Sequence, residues 1–115
     1  MNRNTEGQPA KDFPIACLLT DENRKLRRDS IVQPLFSRLQ EARPLADGYA
    51  VRFPGDDETA ALLVHFITGE RACCPFFTFE LVFEPWNGPI WLRLRGPEGA
   101  KALVGTLLDE VAPLP

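Results

Sequence analysis

The sequence predicts a single α+β domain in the order β-α-β-α-β-β-α, with a four-stranded sheet and its helices on one face. Three observations carry that prediction. Phe77, Phe79, Leu81 and Phe83 alternate with Thr78, Glu80, Val82 and Glu84, the period of a half-buried strand. After the turn Pro85-Trp86-Asn87-Gly88-Pro89, Ile90, Leu92 and Leu94 alternate with Trp91, Arg93 and Arg95, which makes the returning strand of an antiparallel hairpin. Ala100, Leu103, Val104, Leu107, Leu108 and Val111 then recur at helical spacing. The chain has 115 residues, enough for one core without metal or disulfide staples.

Residues 1–12 are polar and are expected to be disordered, leaving residues 13–113 as the domain. Residues 13–19 form a short apolar run read as the first strand, with Thr20 as the helix cap after it. The helix that follows meets Pro34, which has no N–H to continue the ladder. One kinked helix or two short ones are expected, closed by Arg43-Pro44. Asp47-Gly48 marks a turn, and Tyr49, Val51 and Phe53 share one face of the second strand. Pro54 to Glu58 turn the chain into a helix carrying Ala60, Leu63, Phe66 and Ile67. Gly69 weakens its end, and Pro75 stops it by disfavouring helical backbone at Cys74. The hairpin pairs Glu80 and Glu84 with Arg93 and Arg95 across the strands. Leu63, Phe66, Phe79, Leu81, Leu92, Leu94, Leu103 and Leu107 are expected in the core.

Composition narrows the function. Hydrophobic residues make up 44% and charged residues 25%, with a formal net charge of -3 and no basic run, so nucleic acid and anionic membrane surfaces are not expected partners. No apolar run approaches the roughly 20 residues of a bilayer span, and the polar N-terminus has no signal-like segment. A cytoplasmic location is the expectation. Three cysteines, two of them adjacent, do not make a secreted disulfide framework.

The chemistry concentrates in the stretch from Glu70 to Glu80. Adjacent Cys73 and Cys74 can form a strained disulfide or present two thiolates to a soft ion. A free cysteine is equally a small hydrophobe that fills a core. Adjacent side chains point in different directions, so at least one sulfur is expected to leave the core. If the end of the first strand approaches the turn, Cys17 joins them, and three thiolates suit Hg(II), As(III) or Cu(I). Arg71 favours a thiolate, whereas the carbonyl end of the helix opposes it. Glu70 precedes the two cysteines by three and four positions and can share their side as a base or outer partner. His65 lies two turns before Cys73, offset around the helix; a surface histidine is its plainer reading. No structural zinc spacing, phosphate loop or Ser-His-Asp order is present.

The string Glu70-Arg71-Ala72-Cys73-Cys74-Pro75-Phe76-Phe77 resembles a family of small bacterial proteins. The likeness extends to Ala16-Cys17-Leu18-Leu19 and to the ending from Trp91 to Ala100. Some members of that family occur beside heavy-metal, especially mercury, resistance functions. The resemblance implies a thiol or metal role at Cys17, Cys73 and Cys74, and no catalytic residue. The expectation is a thiol site that binds a soft ion or is reversibly oxidised. Catalysis is not expected, since no substrate pocket can be read from the residues. The alternative is a non-enzymatic interaction module or homodimer that uses the exposed sheet face around Val82 and Trp91, its cysteines purely structural.

Overall fold

The computed structural model describes residues 21–111. The first helical region is α1 (Asp21–Arg27), a π-helical turn (Arg28–Val32) and α2 (Gln33–Phe36). The wide turn is where Pro34 acts. The N–H of Gln33 reaches back five residues to the carbonyl of Arg28, so the ladder widens just before the residue whose ring would collide with a carbonyl one α-turn earlier. The α-helical ladder is interrupted before Pro34, as expected, and the interruption takes the form of this π turn.

Four antiparallel strands follow: β1 (Glu41–Leu45), β2 (Gly48–Phe53), β3 (Thr78–Phe83) and β4 (Ile90–Arg95), in the spatial order β1-β2-β4-β3. Helix α3 (Asp57–Cys73) lies between β2 and β3, and α4 (Ala100–Val111) follows β4. The α+β class, the four-stranded sheet and the β3–β4 hairpin agree with the sequence reading. One segment differs. Arg43 and Pro44 do not close the helical region but lie inside β1, opposite Ala50 and Tyr49. Proline is tolerated there because β1 is an edge strand. Gly48 follows the β1–β2 turn because a β-carbon there would stand 1.7 Å from the carbonyl oxygen of Leu94. The expected first strand, residues 13–19, and the expected disordered segment, residues 1–12, lie outside the described residues.

One sheet face carries Val51, Phe53, Ile90, Leu92 and Leu94, all buried against Leu35, Phe36, Leu63, Phe66, Val104 and Leu108 of the helices. Phe36 sits edge-on to Phe53 and Phe66, with ring centroids 5.5 and 5.3 Å away. Fully burying a side chain of this size contributes about 1.5–3 kcal/mol. Of the expected core, Leu63, Phe66, Leu92 and Leu94 are buried, while Phe79, Leu81 and Leu107 pack against it partly buried. Leu103 is a correction: it is 36% exposed. The buried line of α4 is Ala100, Val104 and Leu108, four residues apart, and Leu103 falls on its flank.

The opposite sheet face is closed by its own charges. Arg43 and Arg52 stack on Trp91 at 4.8 and 5.8 Å from the ring centroid, and both pair with Glu41. Arg95 bridges Glu80 and Asp47 at 2.9 Å each, and the Trp91 indole donates to Glu84 at 3.1 Å. Among the described residues, no helix is long and apolar enough to cross a membrane.

Candidate functional site

Helix α3 sets the site through its two ends. Asp56 caps the first, its carboxylate accepting from the Thr59 N–H at 2.7 Å and the Thr59 hydroxyl at 3.0 Å. At the other end Pro75 holds the preceding residue out of the helix. Cys74 takes φ -130°, ψ 77°, and its N–H still bonds the Glu70 carbonyl at 2.6 Å. The chain then turns, with the Phe77 N–H returning to the Cys74 carbonyl at 3.3 Å, and enters β3.

This break overturns one expectation. Both cysteines are buried, at 3% and 4% exposure. In a continuous helix, neighbouring side chains diverge. Here the backbone changes direction between them, so both fold into a small cluster with Phe76 and Ala100, flanked by Phe77. The Cys74 thiol donates to the Cys73 sulfur at 3.4 Å. Cys73 is disulfide-bonded, and Cys74 is a free thiol. Cys17 lies outside the described residues.

Glu70 shares the side of the cysteines, as its spacing predicted. Its carboxylate meets Arg27 Nη2 at 3.2 Å, and the same guanidinium nitrogen donates to the Phe66 carbonyl at 3.2 Å. The two side chains are only 15% and 20% exposed. Burial raises the Glu70 carboxyl above its ordinary value, with Arg27 and the Cys74 hydrogen bond opposing. The Cys74 thiol is pushed up to about 12, first by burial and then by the charge and hydrogen bond of Glu70, while Arg27 pulls it down. The thiol is therefore held in its protonated form, with the Glu70 carboxyl beside it.

Two sequence candidates stand apart. Arg71 is exposed in the last turn of α3, and the cation beside the site is Arg27 instead, which arrives from α1. His65 is exposed on α3 and does not line the site. Local spacing around the two cysteines does not point to Arg27. The signal that could have found it is Gly69, a glycine within a helix next to Glu70, which marks a close approach from another element.

A cavity of about 300 Å³ opens beside the sulfurs, between α1, α3 and α4. Arg27, Phe66, Glu70, Cys73, Cys74, Phe77 and Leu107 line it, so the two cysteines and the Arg27–Glu70 pair border one open cavity. No such pocket was expected from the sequence. Among the described residues, no group of three or more His, Cys, Asp or Glu side chains is placed to hold a metal ion. Comparison with protein-family models, with curated proteins and with solved structures finds no match to this chain.

Proposed function

We propose that the Cys73–Cys74 turn is a thiol–disulfide site whose oxidation state changes reversibly in the cytoplasm, and that its reduced form offers sulfur ligands to a soft metal ion. One observation carries the reading: a free thiol lies 3.4 Å from the sulfur of a cysteine engaged in a disulfide. That separation is within the range of a near-attack geometry, about 3–3.5 Å. Cys17, the remaining cysteine of the sequence, is the partner this reading assigns to Cys73. In a reducing compartment such a bond is a regulated state rather than a permanent staple. The resemblance of the Glu70 to Phe77 block to proteins near mercury-resistance functions accords with thiol chemistry.

The chemistry follows from the neighbours. Glu70 accepts the Cys74 proton, and the thiolate attacks the Cys73 sulfur. The Cys73–Cys74 bond forms and the Cys17–Cys73 bond breaks. The electron pair leaves on the Cys17 sulfur, which takes up a proton, so the exchange is electron-neutral. Making the first disulfide removes two electrons from two thiols and needs a cellular disulfide or a peroxide as acceptor. The high thiol value of Cys74 keeps exchange slow until the proton is drawn off.

The test is redox titration of the full chain with thiol trapping and peptide mapping. The expected oxidised form links Cys17 to Cys73 and leaves Cys74 trapped as a thiol, with a Cys73–Cys74 bond appearing on exchange and absent in Cys74→Ser. After reduction, Hg(II) or As(III) should raise sulfur-to-metal absorbance that Cys73→Ser and Cys74→Ser each diminish. Thiols that stay reduced and inert at every potential, with substitutions that only lower stability, overturn the reading.

A further inference from the structure

Besides Leu26, Val64 and Leu103, each on a different helix, the exposed large apolar side chains among the described residues lie along β3 and beyond its end, with Val82 on the same sheet face as Trp91. Phe83 is 58% exposed, Val82 36% and Trp86 96%. Among the described residues β3 is an edge strand, bonded only to β4. The other edge, β1, contains Pro44 and exposed Arg43, both devices that discourage pairing. β3 contains neither proline nor a positive charge.

The hydrogen-bonding direction of this edge can be read. The Glu84 N–H bonds the Pro89 carbonyl, so Glu84 is paired toward β4. By alternation, Thr78, Glu80 and Val82 also point their backbone groups inward, and Phe79, Leu81 and Phe83 point theirs to the free edge.

We propose that a second copy of this chain pairs with β3, antiparallel about a two-fold axis at Leu81. In that register Leu81 faces the other Leu81 and Phe79 faces Phe83, which matches outward backbone groups with outward backbone groups. Glu80 faces Val82. Moving the axis to Glu80 sets two Glu80 carboxylates opposite each other, and moving it to Val82 sets Glu80 against Glu84. Both are penalised as like charges, and an odd shift mismatches the backbone groups. Axes at Phe79 or Phe83 pair only an end of β3, so the Leu81 register keeps the longest ladder, and in it the exposed Phe83 ring is covered by the half-buried Phe79 ring of the other copy.

The hairpin tip extends the contact. Trp86 and Asn87 take φ of 62° and 54°, and the Gly88 N–H bonds the Pro85 carbonyl at 3.1 Å, a turn that normally recruits Asn and Gly. A tryptophan held in left-handed backbone and fully in solvent is a strained arrangement for an isolated chain. The Leu81-centred register sets Trp86 opposite Phe76, next to the exposed Pro75 of the other copy.

The experiment is analytical ultracentrifugation of the full chain across concentration, with circular dichroism to confirm that each variant stays folded. Val82→Lys, which meets two Glu80 carboxylates, should tighten association, and Val82→Glu should loosen it, each by about tenfold since the pair occurs twice. Trp86→Ala should weaken association and remove a blue shift of tryptophan emission on dimerisation. A chain that stays monomeric into the millimolar range overturns the proposal. So does association that both Val82 variants move in the same direction, or that neither moves. If Val82→Glu fails to fold, Val82→Lys and Trp86→Ala decide it.

Discussion

The guanidinium of Arg27 occupies the space that a side chain at Gly69 would need. A β-carbon on Gly69 would lie 1.7 Å from Arg27 Nη1 and 2.2 Å from Cζ. The missing side chain lets the arginine lie against α3 and reach both the Phe66 carbonyl and Glu70.

Gly69→Ala should therefore displace Arg27 without unfolding the protein. Alanine improves the helix by up to about 1 kcal/mol, which offsets much of the lost contact. The Glu70 carboxyl, already raised by burial, should rise further once its cation leaves. Carbon-detected NMR titration of Glu70 checks this, and an unchanged Glu70 titration in the variant would contradict the arrangement.

Glu70→Gln should act on the thiol. It removes the negative charge that holds Cys74 up and leaves a weaker, neutral acceptor, while burial, the larger cause, remains. Thiolate absorbance should then develop at lower pH than in the parent, with about tenfold more thiolate at pH 9 for each whole pH step the midpoint falls. The midpoint should stay above that of an exposed cysteine.

Cys74 also imposes an alkaline limit on stability. Its folded value, about 12, exceeds the model value of 9.0 that serves for the unfolded chain. Between these pH values the native state keeps a proton that the unfolded state has lost, so stability falls as pH rises. The slope is about 1.4 kcal/mol per pH unit, and the contribution is complete below pH 9. Denaturant midpoints measured from pH 8 to pH 11 should show the decline, and Cys74→Ala should flatten it.

Asp56→Ala removes the cap of α3. The Thr59 backbone and side-chain hydrogen bonds hold the Asp56 carboxyl below its ordinary value. Its stabilisation is present above the unfolded carboxylate range and is lost as pH falls through the lower folded value. Parent and variant should differ in melting temperature at pH 7 and converge near pH 2.

Phe36→Ala should be severe. The ring is 1% exposed and wedged between Phe53 and Phe66, so its loss leaves a cavity costing about 3–5 kcal/mol. Against the 5–15 kcal/mol total of an ordinary domain, urea unfolding should show a markedly lower midpoint.

The hairpin from Thr78 to Arg95, the stripe of α4 and the end of α3 at Pro75 were legible in the sequence, because alternation, helical period and proline sterics are local. So was the shared side of Glu70, Cys73 and Cys74, which follows from spacing along one helix. Strand β1 was not legible, since Arg43-Pro44 is a poor local strand and becomes one only by lying at an edge beside β2. Nor could local spacing show that both cysteines are buried, that Arg27 reaches Glu70, or that a cavity opens beside the sulfurs. Those depend on where the backbone turns after Cys73 and on α1 crossing α3 at Gly69. A thiol's charge state is set by burial and by neighbours distant in sequence, so only the tertiary structure decided that Cys74 is a protonated thiol beside the Glu70 carboxyl.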